Sequence, residues 1–273
     1  MVYRLGLVGR DIGHSLSPTL HKAAAASAGL EVSYELLDVD GSELPSIAHA
    51  LRVGDFHGLN VTAPYKKWAY EICQQLDRRA LRTQAVNTLR VDERGQICGS
   101  NTDWAGINAL LRDVSLRRCL VLGSGRTAET ALHVLERSYK ADVFVAHRNA
   151  VRFKELRDRV GLTLSEIEYA ALNDAELPFD TVINCLPNHC YGLLATLPWH
   201  TLPAQSWWLD LNYGARTDAF LDHLNHGDLK RRDGVTALVA QGTASFALWT
   251  GEQPDEHFVL REVEKATSRA RQR

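Results

Sequence analysis

The residues whose types and spacing could do chemistry fall into three polar clusters followed by one glycine-rich turn. The clusters are Gly13-His14-Ser15-Leu16-Ser17-Pro18-Thr19-Leu20-His21, Gly58-Leu59-Asn60-Val61-Thr62-Ala63-Pro64-Tyr65-Lys66, and Gln84-Ala85-Val86-Asn87-Thr88 with Gly99-Ser100-Asn101-Thr102-Asp103. Each stands at a strand end or a helix start, where side chains of a parallel sheet converge on ligands. Taken singly, the same residues have ordinary uses. Ser15 and Ser17 can cap a helix, Lys66 can be a surface lysine at a helix start, and the Asn and Thr residues can form turns.

The turn is Gly123-Ser124-Gly125-Arg126-Thr127-Ala128, a G-x-G-x-x-A pattern placed directly after the apolar run Cys119-Leu120-Val121-Leu122 and before a helical pattern. In that position Gly123 makes the tight turn and Gly125 lets the backbone approach a pyrophosphate. The small Ala128 lets helix and strand pack closely, and the helix start offers N–H groups to phosphate. Without those flanks the pattern would be an ordinary strand-to-helix turn. A site that prefers NAD has an acidic residue at the end of the next strand for the ribose 2'-hydroxyl. Here Val143-Phe144-Val145-Ala146 runs into His147-Arg148-Asn149-Ala150-Val151-Arg152. Arg148 and Arg152 could flank a 2'-phosphate with charge-assisted hydrogen bonds, so NADP is the expected cofactor. Otherwise they are solvated charges at a helix start.

The elements that must position these residues alternate almost from end to end, which predicts an α/β protein with mostly parallel sheets. Strands are expected over Tyr3 to Val8, Ser33 to Asp38, Gly58 to Val61, Val86 to Val91 and Gln96 to Gly99. Helices are expected over Pro18 to Ala28, Leu44 to Val53 and Lys66 to Gln75. Ser17 is placed to cap the first helix, with Pro18 in its first position and Gly29 ending it. A second series has strands at Arg118 to Leu122, Asp142 to Ala146, Thr181 to Asn184 and Trp207 to Leu211. Its helices are Ala128 to Ser138, Val151 to Val160 and Thr217 to His226. A domain boundary is placed near Asn101 to Asp103, and an apolar helix over Val235 to Trp249 is expected to return to the first domain. The division is therefore 1–102 with 237–273, and 103–236.

At 273 residues the chain exceeds the usual single-domain size, and its 45% hydrophobic and 23% charged residues are those of a globular protein. A net charge of -2 without a long Lys/Arg run gives no electrostatic footprint for nucleic acid or an anionic membrane, which leaves a small molecule as the expected partner. The N-terminal run reads as a first strand rather than a signal peptide. Cys73, Cys98, Cys119, Cys185 and Cys190 form no CxxC pair, so core thiols in a reducing cytoplasm are expected rather than disulfides or structural zinc.

Taken together, the S-x-S-P, N-V-T-x-P-x-K, A-V-N-T and N-T-D segments, the nucleotide turn and Ala240-Gln241-Gly242-Thr243-Ala244-Ser245-Phe246 resemble the shikimate dehydrogenase family, in order and over essentially the whole chain. The resemblance implies an N-terminal α/β substrate domain and a C-terminal Rossmann-like NADP domain. It also implies reversible, NADP-dependent reduction of 3-dehydroshikimate to shikimate, by a monomer or homodimer. Ser15 and Ser17 would hold the substrate carboxylate near a helix N-terminus, with Tyr213 beside it. Asn60, Thr62, Asn87, Asp103 and Gln241 would read ring hydroxyls.

Lys66 and Asp103 would be the catalytic pair. Lys66 would then be the acid/base, or an electrostatic clamp while Asp103 or a water carries the proton. The cofactor would meet Gly123 to Ala128, His147, Arg148, Arg152, Asn184, Cys185, Leu186, Leu211 and Gly234.

Departures from the family pattern gather around the cofactor. Arg126 stands where a small residue is common, His147 where Asn is common, Asn184-Cys185-Leu186 where N-A-T is usual, and Thr236 where a methionine is expected. Quinate and an aminoshikimate-type compound are the rival substrates, methylene-tetrahydrofolate dehydrogenase a more distant relative by layout. A non-catalytic NADP-responsive regulator is the rival class. His223 and His226 lack an apparent third metal ligand, and Trp207, Trp208 and Trp249 read as core or domain-seam aromatics.

Overall fold

A computed structural model describes residues 1–173, 176–224 and 227–271, with side chains through residue 268. The chain divides into two compact units, Met1–Gly106 with Leu238–Arg273, and Ile107–Ala237.

The first unit is built from β1 (Val2–Gly9), α1 (Ser17–Ala28), β2 (Glu31–Asp38), α2 (Leu44–Arg52), β3 (Gly58–Val61), α3 (Lys66–Glu71), β4 (Gln75–Leu76), α4 (Arg78–Thr83), β5 (Thr88–Val91), β6 (Ile97–Ser100) and the start of α5 (Asp103–Leu110). Its six strands lie in the order β2-β1-β3-β5-β6-β4. Strands β2, β1 and β3 run parallel, as the alternation of elements predicts, whereas β5 is antiparallel to both β3 and β6. The reason is local: only Asp92 to Gln96 separate β5 from β6, and so short a connection can join only antiparallel strands.

Helix α1 ends at Gly29 in the left-handed conformation, as the sequence predicts, but Ser17 does not cap its start. The Ser15 hydroxyl instead accepts the Ser17 N–H at 3.2 Å. The helix expected to reach Gln75 stops at Glu71, because Gln75 and Leu76 pair with Cys98 and Gly99.

The second unit contains β7 (Arg118–Leu122), α6 (Arg126–Ser138), β8 (Asp142–His147), α7 (Ala150–Val160), β9 (Ser165–Glu168), β10 (Thr181–Asn184), α8 (Tyr191–Leu194), β11 (Trp207–Asp210), α9 (Ala215–His223) and β12 (Lys230–Arg232). Its sheet, β12-β11-β10-β7-β8-β9, is parallel throughout. Read from β9, this is the doubly wound order 3-2-1-4-5-6 of a Rossmann-like domain, whose strand order reverses between β7 and β10. Those central strands are buried almost end to end, as strands covered on both faces must be. Trp208 lies in their core, edge-on to Trp199 at 4.9 Å and to Phe220 at 5.4 Å.

Two helices close the chain, α10 (Val235–Thr250) and α11 (Glu256–Arg271). The second of them packs on α1. All five cysteines are free thiols. Among the described residues no helix is long and apolar enough to cross a membrane, and no cluster of three or more metal-ligating side chains is present; His226 lies outside the described residues.

Candidate active site

In the first unit the strand order reverses beside β1, so the segments that follow β1 and β3 emerge next to each other. Ser15 and Ser17 occupy the first segment, Thr62 and Lys66 the second. Asp38, at the end of β2, holds the first by accepting the N–H groups of Asp11 at 2.9 Å and Ile12 at 3.1 Å. The Ser15 hydroxyl donates to Ser17 Oγ at 3.1 Å, leaving the Ser17 proton to point elsewhere. Thr62 is half-buried, and its N–H joins Val8 O at 2.9 Å.

Lys66 and Asp103, distant in sequence, meet. Lys66 Nζ lies 2.5 Å from Asp103 Oδ2, and the two side chains keep 17% and 19% of their surface exposed. The pair is thus shielded yet reachable, as a proton donor and its partner need to be. The other carboxylate oxygen, Oδ1, accepts from Asn87 Nδ2 at 2.7 Å. The orientation of that amide is physically determined. Asn87 Oδ1 accepts the backbone N–H of Thr102 at 2.8 Å, and an N–H can only donate, so the NH2 end must face Asp103. Gln241 lies on α10 with Oε1 at 3.4 Å from the same Asn87 nitrogen.

Asn60 is placed differently from the expectation that it reads substrate hydroxyls, because both ends of its amide are engaged inside the unit. Nδ2 donates to Asn87 O at 3.1 Å and to Ser245 Oγ at 3.0 Å, while Oδ1 accepts from Tyr34 OH at 2.9 Å and from His21 Nε2 at 3.1 Å. Since Oδ1 cannot donate, His21 carries its proton on Nε2. Its ring is fully buried and stacked on Tyr34 at 4.4 Å, and burial lowers its pKa from 6.5 to about 3 against the opposing effect of its hydrogen bond to Asn60. His21 is therefore a neutral donor at any physiological pH.

In the second unit the turn after β7 fits a dinucleotide. Gly123 has φ 111°, a conformation that only glycine adopts without strain, and an added Cβ would stand 3.2 Å from Leu186. At Gly125 the space a Cβ would fill is open, and α6 starts there with no side-chain cap on its first N–H groups. Ser124 and Thr127 are half-buried beside it, and Ala128 is buried against the sheet. Gly123 and Leu186 thus come together where β7 and β10 end, at the reversal of strand order that binds ligands in such sheets. Cys185, beside Leu186, has its thiol pKa pushed up by burial and is an inert thiol rather than a nucleophile.

The segment after β8 carries Arg148 and Arg152, both exposed, on either side of Asn149, which caps α7 by accepting the Arg152 N–H at 3.1 Å. Two exposed guanidiniums suit a 2'-phosphate, while the Glu166 carboxylate of β9 stands 3.6 Å from His147 Nε2 at the end of β8. His147 lies below them, buried and stacked on Phe153 at 4.8 Å. Arg126 turns its guanidinium to the buried Glu129 at 3.0 Å, and Arg159 meets the same oxygen at 3.1 Å.

Asn184 is also engaged: its Nδ2 donates to Asp210 at 2.8 Å, and its Oδ1 accepts the Leu186 N–H at 3.1 Å. Burial raises the Asp210 pKa, against hydrogen bonds from Asn184, Asn212 and Trp208 that lower it. Together these bonds fix the ends of β10 and β11. Tyr213 and Leu211 follow β11, half-buried. Gly234 passes so close that an added Cβ would stand 2.5 Å from Leu211 O.

Residues 7–89 match the family described as the shikimate dehydrogenase substrate binding domain, and residues 234–264 match the shikimate 5'-dehydrogenase C-terminal domain. Over 265 residues the chain is 32% identical to the shikimate dehydrogenase (NADP(+)) of Marinobacter nauticus, a match covering 94% of this chain and 96% of that protein. The chain belongs to the shikimate dehydrogenase family.

A second relative, the shikimate dehydrogenase (NADP(+)) of Vibrio atlanticus, is 32% identical over 269 residues and 97% of each chain. The crystal structure of shikimate 5-dehydrogenase from Thermus thermophilus in complex with NADP(H) and shikimate is 29% identical, covers 97% of this chain and 99% of that one, and superposes with a TM-score of 0.78. The shikimate dehydrogenase segment that matches over 7–89 contains Ser15, Ser17, Thr62, Lys66 and Asn87; the C-terminal segment contains Gly234, Gln241 and Ser245.

Proposed function

We propose that this chain catalyses the reversible, NADP-dependent reduction of 3-dehydroshikimate to shikimate. The observation that carries the reading is the 2.5 Å contact between Lys66 and Asp103, an ammonium and a carboxylate held together by residues far apart in sequence. The names of the relatives and the NADP(H) and shikimate bound to the Thermus enzyme supply the substrate and the cofactor.

NADPH, when bound, supplies the hydride. Negative charge then develops on the ketone oxygen of the ring, and the Lys66 ammonium stabilises it and donates the proton that completes the hydroxyl. In the oxidising direction neutral Lys66 takes that proton back. Asp103 keeps the lysine over the oxygen and, with Asn87 and Gln241, reads neighbouring hydroxyls. Ser15 and Ser17 bind the ring carboxylate, and Thr62 reads a ring hydroxyl. Gly123 to Ala128 and the Leu186 segment would hold the pyrophosphate side of the cofactor, Arg148 and Arg152 its 2'-phosphate, and Leu211 and Gly234 its nicotinamide end. The five free thiols favour a reducing, cytoplasmic setting.

A panel of shikimate, quinate and an aminoshikimate, each with NADP and with NAD, tests the proposal. The expected result is the highest kcat/KM for shikimate with NADP. Hydride transfer from none of the three to either cofactor, with cofactor binding intact, would make the chain an NADP-responsive regulator.

A further inference from the structure

Behind the segments given to the cofactor in the second unit stands a carboxylate with no part in the proposed chemistry. It is Asp210, the last residue of β11, fully buried. Its Oδ1 accepts the backbone N–H of Asn212 at 2.9 Å and Asn212 Nδ2 at 2.8 Å; its Oδ2 accepts Asn184 Nδ2 at 2.8 Å and Trp208 Nε1 at 3.2 Å. The Tyr191 hydroxyl, which donates to Thr217 Oγ1 at 3.0 Å, lies beside the same carboxylate.

The two asparagines go on to grip one residue, Leu186, from opposite sides. Asn184 Oδ1 accepts its N–H at 3.1 Å, and Asn212 Nδ2 donates to its C=O at 2.8 Å. The Leu186 side chain in turn stands against Gly123, 3.2 Å from where a Cβ would lie. Asn212 O also accepts the Gly234 N–H at 2.8 Å, so the turn that Asp210 holds through the Asn212 N–H carries Gly234 with it.

We propose that Asp210 is a positioning residue for the cofactor: by receiving Asn184 on one oxygen and Asn212 on the other, it sets the backbone of Leu186 and Gly234. The inference rests on the reading of those two segments as part of the NADP site.

Asp210→Asn keeps the shape of the side chain but leaves one accepting oxygen and sets an NH2 where the other stood. Among the described residues the Asn212 N–H, Asn184 Nδ2 and Trp208 Nε1 have no partner but Asp210. They are shared between its two oxygens, so either orientation of the new amide turns an NH2 toward a group that can only donate. Turning over the Asn184 or Asn212 amide to meet that NH2 gives up its bond to Leu186.

Calorimetry is expected to give Asp210→Asn a Kd for NADP about tenfold above wild type, the scale of one lost buried hydrogen bond. NMR of the ligand-free variant is expected to show the Leu186 and Gly234 backbone amide resonances displaced. Trp208→Phe removes a donor from the same carboxylate without touching either segment, and is expected to lower Tm while leaving the Kd for NADP as in wild type. Asn212→Ala cuts one grip on Leu186 in a half-buried turn and is expected to raise that Kd several-fold.

A wild-type Kd or unmoved Leu186 and Gly234 resonances in Asp210→Asn overturn the proposal, as does a Trp208→Phe variant that binds NADP as weakly as Asp210→Asn. Should Asp210→Asn fail to fold, an unchanged Kd in Asn212→Ala overturns it. A wild type that binds NADP but turns over no substrate counts against the functional reading alone, because none of these readouts needs turnover.

Discussion

The Asn87 side-chain amide donates to one oxygen of Asp103 at 2.7 Å while Lys66 holds the other at 2.5 Å. The carboxylate is thus pinned from two sides, and its orientation is set before any substrate arrives. Asn87→Asp puts a second negative charge at that contact. We expect kcat/KM to fall about a hundredfold at neutral pH and to recover in part as the pH drops and one of the two carboxyls takes a proton to share. A pH–rate profile of the variant checks this, and a loss that does not depend on pH would contradict it.

His21 makes stability depend on pH in a known direction. Its pKa is lowered from 6.5 to about 3 in the folded chain, chiefly by burial. Between those values the unfolded chain binds the proton and the folded chain does not. The contribution is therefore complete above pH 6.5 and is lost as the pH falls toward 3. From pH 6.5 to 4.5 this one group removes about 2–3 kcal/mol. Urea unfolding at both pH values should show that much less acid sensitivity in His21→Gln than in wild type.

Gly58 meets Trp249 with no room for a side chain, since an added Cβ would lie 2.2 Å from the indole nitrogen. That nitrogen donates to Leu89 O at 3.0 Å, so the ring cannot move aside without breaking a half-buried hydrogen bond. Gly58→Ala should destabilise the chain by about 1–3 kcal/mol, the range for overpacking. Thermal melting reads it as a fall in Tm of several degrees.

Arg148 and Arg152 flank the cap of α7, and both are exposed. Arg148→Ala should weaken NADP binding about tenfold, the scale of one charge-assisted contact, and leave NAD binding nearly unchanged. Calorimetry with both cofactors measures the contrast without turnover.

How far these features were legible in the sequence depended on whether their signals were local. The second sheet could be read because Cys119 to Leu122 and Thr181 to Asn184 are unbroken apolar strands and Gly123 to Ala128 is a contiguous turn. The strands that escaped, Ser165–Glu168 and Lys230–Arg232, lie at the two edges of that sheet and are largely charged, so no apolar period marks them. The two-residue strand Gln75–Leu76 is too short to show a period at all. The closing helix Glu256–Arg271 falls within the returning helices expected over 237–273, but its high charge left its own bounds unmarked.

At the site, Lys66 and Asp103 were found through their motifs. The inward turn of Asn60 was not legible, because its partners His21, Tyr34 and Ser245 come from three other elements. Asp210 was missed as well. The one available signal was a carboxylate closing the otherwise apolar strand Trp207-Trp208-Leu209, where a buried charge needs partners.

The most direct test of the central claim is the turnover of shikimate with NADP by Lys66→Ala. The kcat should fall by about two to four orders of magnitude with KM for shikimate changed only a few-fold, the signature of a group that acts on the charge and the proton of the transition state. A variant that keeps its kcat, or that loses only substrate affinity, would contradict it.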